Sequence, residues 1–305
     1  MAQYSIGVDL GGTNLRAAAI TREGQQLSKV TGRVNLSQGR DAVIDDIVTS
    51  IQLLREEHGR DDLLGVGVAV PGFILMEQGI IAESNNLPYF DSFPARDVIE
   101  QKLGAKVILE NDANAAALGE KWMGAGKDVD DLFLITLGTG IGGGIISGGK
   151  ILHGFLGMAG EVGHITVIPN GNPCGCGNQG CLEKHASATA IMGMAAMMHL
   201  GRDVTSEDVY KMAVQGDERA RMIFDIMGRA LGIALASLVN LFNFPLYLLS
   251  GGPLPAWDQF APSMFAEAKK RSFAFRTTNT KVEKAILGSE AGLFGAARLG
   301  AQQAH

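Results

Sequence analysis

The chain has 305 residues, room for two domains with cores of their own, and its 26 Lys and Arg against 32 Asp and Glu give a net charge of −6. No dense basic run is present, so a nucleic-acid partner has no electrostatic footprint. The most apolar stretch, 230–249, is broken by Asn240, Asn243 and Pro245, which argues against a membrane span; with three cysteines and no secretory h-region before the first strand, a cytoplasmic chain without disulfides is expected.

Residues 4–9 read as a short strand, 11–14 as a turn and 15–20 as the returning strand. Val43, Ile44, Ile47, Val48, Ile51 and Leu54 recur at helical spacing and predict a helix over 41–58. An apolar strand over 64–70 ends in Pro71-Gly72, a short helix follows at 94–103, and 106–109 is a further buried strand. That strand runs into Glu110-Asn111-Asp112, where polar groups open an Ala-rich helix. The opening pattern then returns: strand 132–137, a Gly-rich turn over 138–143, and strand 144–147. A long helix over about 217–241 leads to a buried strand at 246–250. The last helix, 289–299, is rich in small residues that permit close packing, and Ser289 is its expected N-cap. The first domain is expected to comprise 1–118 and to take back 289–305, with 119–288 forming the larger domain. Each domain opens with a hairpin whose tip carries Gly and Thr, and such tips would face one another across a cleft.

Asp9-Leu-Gly11-Gly12-Thr13-Asn14 ends a buried strand in a carboxylate and a tight turn. Glycines let backbone N–H groups approach phosphate oxygens, and Thr13 adds a hydroxyl donor. A carboxylate beside phosphates calls for a cation between them, so Asp9 is expected to act through Mg²⁺. Gly-Gly alone would be an ordinary hairpin turn. The matching Gly138-Thr139-Gly140-Ile-Gly142-Gly143 turn makes two phosphate-sized tips the better reading, and the absence of G-x-x-x-x-G-K-[ST] excludes a P-loop. Asp112 has two readings: a helix cap, or a general base that takes a hydroxyl proton while Asn111 orients the substrate.

All three cysteines fall within Cys174-Gly-Cys176-Gly-Asn-Gln-Gly-Cys181, and His164 lies ten positions upstream. Three thiolates and one imidazole complete a tetrahedral Zn²⁺ site with no open position, the signature of a structural rather than hydrolytic metal. Glu161 and Glu183 bracket the cluster. With His164 they form a set suited to sugar hydroxyls, since carboxylates accept geometrically selective hydrogen bonds. One nitrogen of His164 would bind zinc while the other faces ligand. His58, His153, His185 and His199 have no partner identifiable from sequence and read as structural or surface residues.

Together these residues resemble the ROK family of bacterial sugar kinases, over nearly the whole chain. Asp9-x-Gly-Gly-Thr and Leu137-Gly-Thr-Gly-Ile-Gly-Gly-Gly144 are similar to the family's two phosphate motifs, and Glu161-Val-Gly-His164 to its E-x-G-H element. Cys174-x-Cys176-Gly-x-x-Gly-Cys181-x-Glu183 resembles its zinc signature, and Ser250-Gly251-Gly252-Pro253 its adenosine-side turn.

The resemblance implies a two-domain α/β actin-like ATPase (ribonuclease H-like) fold with an interdomain cleft, and ATP-dependent phosphorylation of a hexose 6-hydroxyl. It makes Asp112 the catalytic base. Asn111, Asp112, Glu161, His164 and Glu183 would hold the sugar, with Asn85 or Asn86 touching it and Pro71-Gly72 lining the site. Asp9, Gly11, Gly12, Thr13, Asn14, Gly138, Thr139, Gly140, Gly142, Gly251 and Gly252 would take the nucleotide, with Mg²⁺ near Asp9. Zinc would sit on His164, Cys174, Cys176 and Cys181. Ser84-Asn-Asn-Leu87 and Glu110 to Ala117 look most like the bacterial glucokinases, which implies glucose and a homodimer. Fructose, mannose, N-acetylglucosamine, N-acetylmannosamine and allose are the alternative substrates. A sugar-sensing repressor, as some family members are, would add a helix-turn-helix domain that this sequence does not display.

Overall fold

The computed structural model describes residues 2–34, 36–84 and 86–302. The chain divides into two compact units, 1–130 with 144–159 and 286–305, and 131–143 with 160–285. The unit boundaries thus fall at 130/131, 143/144, 159/160 and 285/286, against the expected divisions at 118/119 and 288/289.

In the first unit, strands β1 (Tyr4–Leu10), β2 (Asn14–Thr21), β3 (Gln26–Arg33), β4 (Leu63–Val70) and β7 (Val107–Asn111) build a sheet in the order β3-β2-β1-β4-β7. A two-stranded ribbon, β5 (Phe73–Leu75) and β6 (Ile80–Glu83), branches off after β4. Alternation along β1 and β4 sorts the two faces of the sheet. Tyr4, Ile6, Val8, Val66, Val68 and Val70 join a core with Val43, Ile44, Ile47 and Ile51 of α1 (Arg40–His58) and Ile99 of α2 (Ala95–Leu103). The opposite face carries Gly7, Gly67 and Ala69, because α10 (Ala291–Gln302) lies on it. A Cβ at Gly7 would overlap the Leu293 carbonyl oxygen, and one at Gly67 that of Ala296. Against α3 (Asp112–Met123), α10 makes equally close contact: Gly119 meets the Ala291 carbonyl and Gly295 that of Ala115. The small residues of the last helix are therefore an approach surface. Its start differs from expectation, because Ser289 lies inside a 3-10 turn, Gly288–Glu290, instead of capping the helix. Its carbonyl accepts a hydrogen bond from Arg16.

The second sheet runs β10-β9-β8-β11-β12, the same connectivity as the first, from β8 (Leu132–Leu137), β9 (Ile141–Ser147), β10 (Lys150–Ile151), β11 (Leu246–Gly251) and β12 (Lys281–Lys284). The echo between the halves of the sequence is thus an echo of topology, the α/β arrangement expected of the actin-like fold. One boundary needs correction: β9 starts at Ile141, so the turn is only Gly138–Gly140 and Gly143 is strand. A Cβ at Gly143 would run into the Gly160 carbonyl, which is why glycine persists inside a strand. The helices are α4 (Glu183–Ala186), α5 (Ala188–Met197), α6 (Ser206–Val214), α7 (Glu218–Phe242), α8 (Trp257–Arg271) and α9 (Phe273–Thr277). Helix α7 has the length and hydropathy of a membrane span, but most of it is buried within its unit. Gly228 and Gly232 bring its backbone against Phe260 and Met264 of α8. Asn243, left-handed at φ 50°, ends it.

Candidate functional site

β1, β4 and β7 run parallel, so their carboxyl ends reach one edge of the first sheet, where open α/β sheets place ligands. Asp9 pairs in register with Ala69, and Ala69 with Glu110. The carboxylate of Asp9 is 18% exposed, 3.3 Å from Arg16 Nη1. Burial pushes its pKa up while Arg16 opposes the rise. The Gly11–Asn14 turn is closed by a Gly11 N–H to Asn14 carbonyl bond of 2.8 Å, and Asn14 Nδ2 donates to Thr13 Oγ1 at 3.1 Å. A Cβ at Gly12 would come within ordinary contact of Asn86. Asn85, the other expected sugar contact, lies outside the described residues.

At the β7–α3 junction the N-cap is Asn111, whose Oδ1 accepts the N–H groups of Ala113 (2.9 Å) and Asn114 (3.1 Å). Asn111 Nδ2 donates to the Gly72 carbonyl at 3.1 Å, tying the junction to the Pro71-Gly72 corner. Gly72 adopts φ 116°, and a Cβ there would overlap the Glu83 carbonyl, so glycine is required. Asp112 is the first residue of α3 and also accepts from Ala113 N–H, at 2.8 Å. Behind it, the carboxylate of Glu110 is 1% exposed and meets His153 Nε2 at 2.7 Å. The sequence assigned His153 no partner; 43 residues separate the two, and no local signal joins them.

In the second unit, β8 and β11 are parallel, with Gly251 in register with Leu137. The Gly138–Gly140 turn and the Gly251-Gly252 corner therefore lie at the same sheet edge. Three N–H groups here are already engaged: Gly138 to the Gly140 carbonyl (2.9 Å), Gly142 to Thr136 Oγ1 (3.2 Å) and Ile141 to Glu183 Oε2 (3.1 Å). The Thr139 carbonyl accepts from Thr189 Oγ1. Glu183, expected with the sugar set, thus also abuts the turn at Gly140. A cavity of about 220 Å³ adjoins Gly252, walled by Tyr210, Phe224, Pro253 and Ala256.

His164, Cys174, Cys176 and Cys181 converge, their ligand atoms all within 4.8 Å of one another. Metal–ligand bonds of about 2.3 Å to sulfur and 2.0–2.1 Å to nitrogen put tetrahedral edges at roughly 3.8 Å (S···S) and 3.6 Å (S···N). The observed Cys176–Cys181 Sγ separation is 3.7 Å, and Cys174 Sγ lies 3.6 Å from His164 Nδ1. The residues fit zinc. Burial and the neighbouring thiols push Cys181 up to about 12, the strain that a cation on the thiolates relieves. His164 turns its other nitrogen, Nε2, toward Glu161 Oε2 at 4.0 Å. Burial pushes the pKa of Glu161 up, His164 opposes the rise, and the neighbouring Glu183 carboxylate adds to it. Glu161, His164 and Glu183 are together in this unit, while Asn111 and Asp112 belong to the other.

A sequence model of the ROK family matches residues 5–303. Glucokinase of Halalkalibacterium halodurans is 37% identical over 99% of this chain and 96% of its own length, and glucokinase of Thermotoga maritima 40% identical over 81% of each. The crystal structure of a ROK family glucokinase from Streptomyces griseus, in complex with glucose and AMPPNP, superposes with a TM-score of 0.81 at 34% identity, covering 98% of this chain and 99% of that one. The chain belongs to the ROK family.

Proposed function

We propose that this ROK-family sugar kinase transfers the γ-phosphoryl group of ATP to the 6-hydroxyl of glucose. The observation that carries the assignment is the β7–α3 junction. Asn111 supplies the cap and shares the Ala113 N–H with Asp112, so a carboxylate stands at the start of α3, at the carboxyl edge of a parallel sheet. The names of the glucokinase relatives, and the glucose and AMPPNP held by the Streptomyces griseus protein, support the choice of sugar and donor.

In this mechanism Asp112 accepts the proton of the sugar hydroxyl as its oxygen bonds to the γ-phosphorus and the bridge to the β-phosphate breaks, releasing ADP. Positioning and charge neutralisation do most of the catalysis in such transfers. Glu161, His164 and Glu183 accept or donate hydrogen bonds to the remaining hydroxyls, with Asn86, Asn111 and Gly72 shaping the pocket. Gly12, Thr13 and Asn14, with Thr139 and Gly140, cradle the phosphates, while Gly11, Gly138 and Gly142, whose N–H groups are engaged within the protein, hold the shape of the two turns. Gly251 and Gly252 flank the adenosine, whose base suits the apolar cavity beside them. Asp9 would hold Mg²⁺, which supplies charge neutralisation to the phosphates. His164 and the three cysteines would hold zinc, which would supply a rigid cross-link, and His164 orients substrate through Nε2. A homodimer acting in the cytoplasm completes the proposal.

The test is ADP release, coupled to a spectroscopic readout, across glucose, mannose, fructose, allose, N-acetylglucosamine and N-acetylmannosamine. Glucose should give the highest kcat/KM, by about tenfold or more. A higher value for an acetylated sugar would overturn the glucose assignment while leaving the kinase intact.

A further inference from the structure

We propose that His153 is a positioning residue for Asp112, acting through the buried Glu110 carboxylate to fix the β7–α3 junction. This rests on the reading of Asp112 as the base.

Glu110 uses both oxygens. Oε1 accepts the Asn111 N–H at 2.9 Å and Asn114 Nδ2 at 3.1 Å; Oε2 meets His153 Nε2 at 2.7 Å. A carboxylate this deeply buried is costly unless a cation or donors satisfy it. The two Oε1 donors come from the residues on either side of Asp112 and its immediate successor, Ala113. Any shift of Glu110 therefore displaces the junction itself. Asn111 secures the same junction from the other side through Gly72. His153 is the remaining anchor.

Its own backbone is well placed for this. The His153 carbonyl accepts from Ala159 N–H at 2.9 Å, closing a loop that leads in sequence to Gly160-Glu161. His153 is thus bonded through its ring to β7, the strand that ends at the residue before Asp112, and through its backbone to the loop ahead of Gly160.

The hydrogen bond to Glu110 raises the pKa of His153, burial lowers it, and the Glu110 charge raises it further, for a net rise. Glu110 on β7 is the charged group facing the ring, and α3 contributes the neutral Asn114. Because the charged form is favoured, the ion pair is complete below the ordinary histidine value and lost as pH rises through the raised one.

The test compares wild type, His153→Ala, His153→Gln and Asp112→Asn with ATP and glucose from pH 6 to 9. His153→Ala should lose about ten- to a hundredfold in kcat, the scale of a small misplacement of a reacting group, with KM for ATP within about twofold. His153→Gln keeps a donor that does not titrate, so it should recover most of the turnover and remove an alkaline limb present in wild type. Wild-type kcat in His153→Ala, or an alkaline limb that persists in His153→Gln, would overturn the inference. An active Asp112→Asn variant would instead show that the base is misassigned, whatever His153 does. Should His153→Ala fail to fold, the pH profile of His153→Gln decides alone.

Discussion

Glu183 Oε2 accepts the Ile141 N–H at 3.1 Å, so a carboxylate of the proposed sugar set is a brace of the glycine-rich turn. On the proposed reading one side chain is then coupled to both substrates. Glu183→Ala should raise KM for glucose and for ATP together, whereas Glu161→Ala, whose carboxylate neighbours His164, should raise KM for glucose alone. Steady-state kinetics with each substrate varied separates them, and an unchanged ATP KM in Glu183→Ala would show that the turn holds itself.

The proposed base makes a sharper demand. Asp112→Asn keeps the size of the side chain and removes its basicity. It should bind glucose with nearly unchanged affinity and lose about 10²- to 10⁴-fold in kcat, the range general-base removal covers. Calorimetry for binding and the ADP-release assay for turnover report the two quantities independently.

The strands that pair closely in sequence, β1 with β2, were legible because both are short apolar runs and the turn between them is short. The metal cluster was legible for the same reason, since its four ligands span only 164–181. What sequence did not yield is long-range or polar. β3 is exposed along most of its length, so it offers no apolar period. Gly143 reads as turn in the sequence, and only the approach of the Gly160 carbonyl explains a glycine inside β9. The His153–Glu110 and Glu183–Ile141 pairs join residues 43 and 42 positions apart, and only the tertiary fold relates them.

Zinc removal tests the double use of His164. Its Nδ1 lies 3.6 Å from Cys174 Sγ and its Nε2 faces Glu161, so a metal on Nδ1 would set the ring plane that Nε2 presents to the proposed sugar set. Chelation should lower both the melting temperature and glucose affinity, and one equivalent of Zn²⁺ per chain should restore both. Because Cys181 without metal is pushed up to about 12, metal binding must release protons, and affinity should fall as pH falls. Unchanged glucose affinity in the zinc-free protein would confine the metal to a structural role.

Close packing of α10 gives a stability prediction with a built-in comparison. A Cβ at Gly67 would overlap the Ala296 carbonyl, whereas Gly252 has open space around it. Gly67→Ala should therefore cost about 1–3 kcal/mol or more, as overpacking does, while Gly252→Ala should be close to neutral in urea unfolding.

Asp9 sets function against stability. Burial raises its pKa more than Arg16 at 3.3 Å lowers it, so Asp9 is more readily protonated in the folded protein than in the unfolded chain. For a carboxylate raised in this way, the associated stability is full below the unfolded pKa and is lost as pH rises through the folded one. At pH 7 to 8 the charge is present at a cost. Asp9→Asn should accordingly raise the melting temperature, by about 2 °C for each 1 kcal/mol regained. The gain should shrink as pH is lowered toward the carboxylate range, where wild-type Asp9 is itself neutral. Turnover in the same variant should collapse, because the ligand proposed for Mg²⁺ is gone. Differential scanning calorimetry between pH 4 and 8, paired with the kinase assay, measures both. A variant less stable than wild type at neutral pH would mean that the Arg16 ion pair outweighs the burial of Asp9.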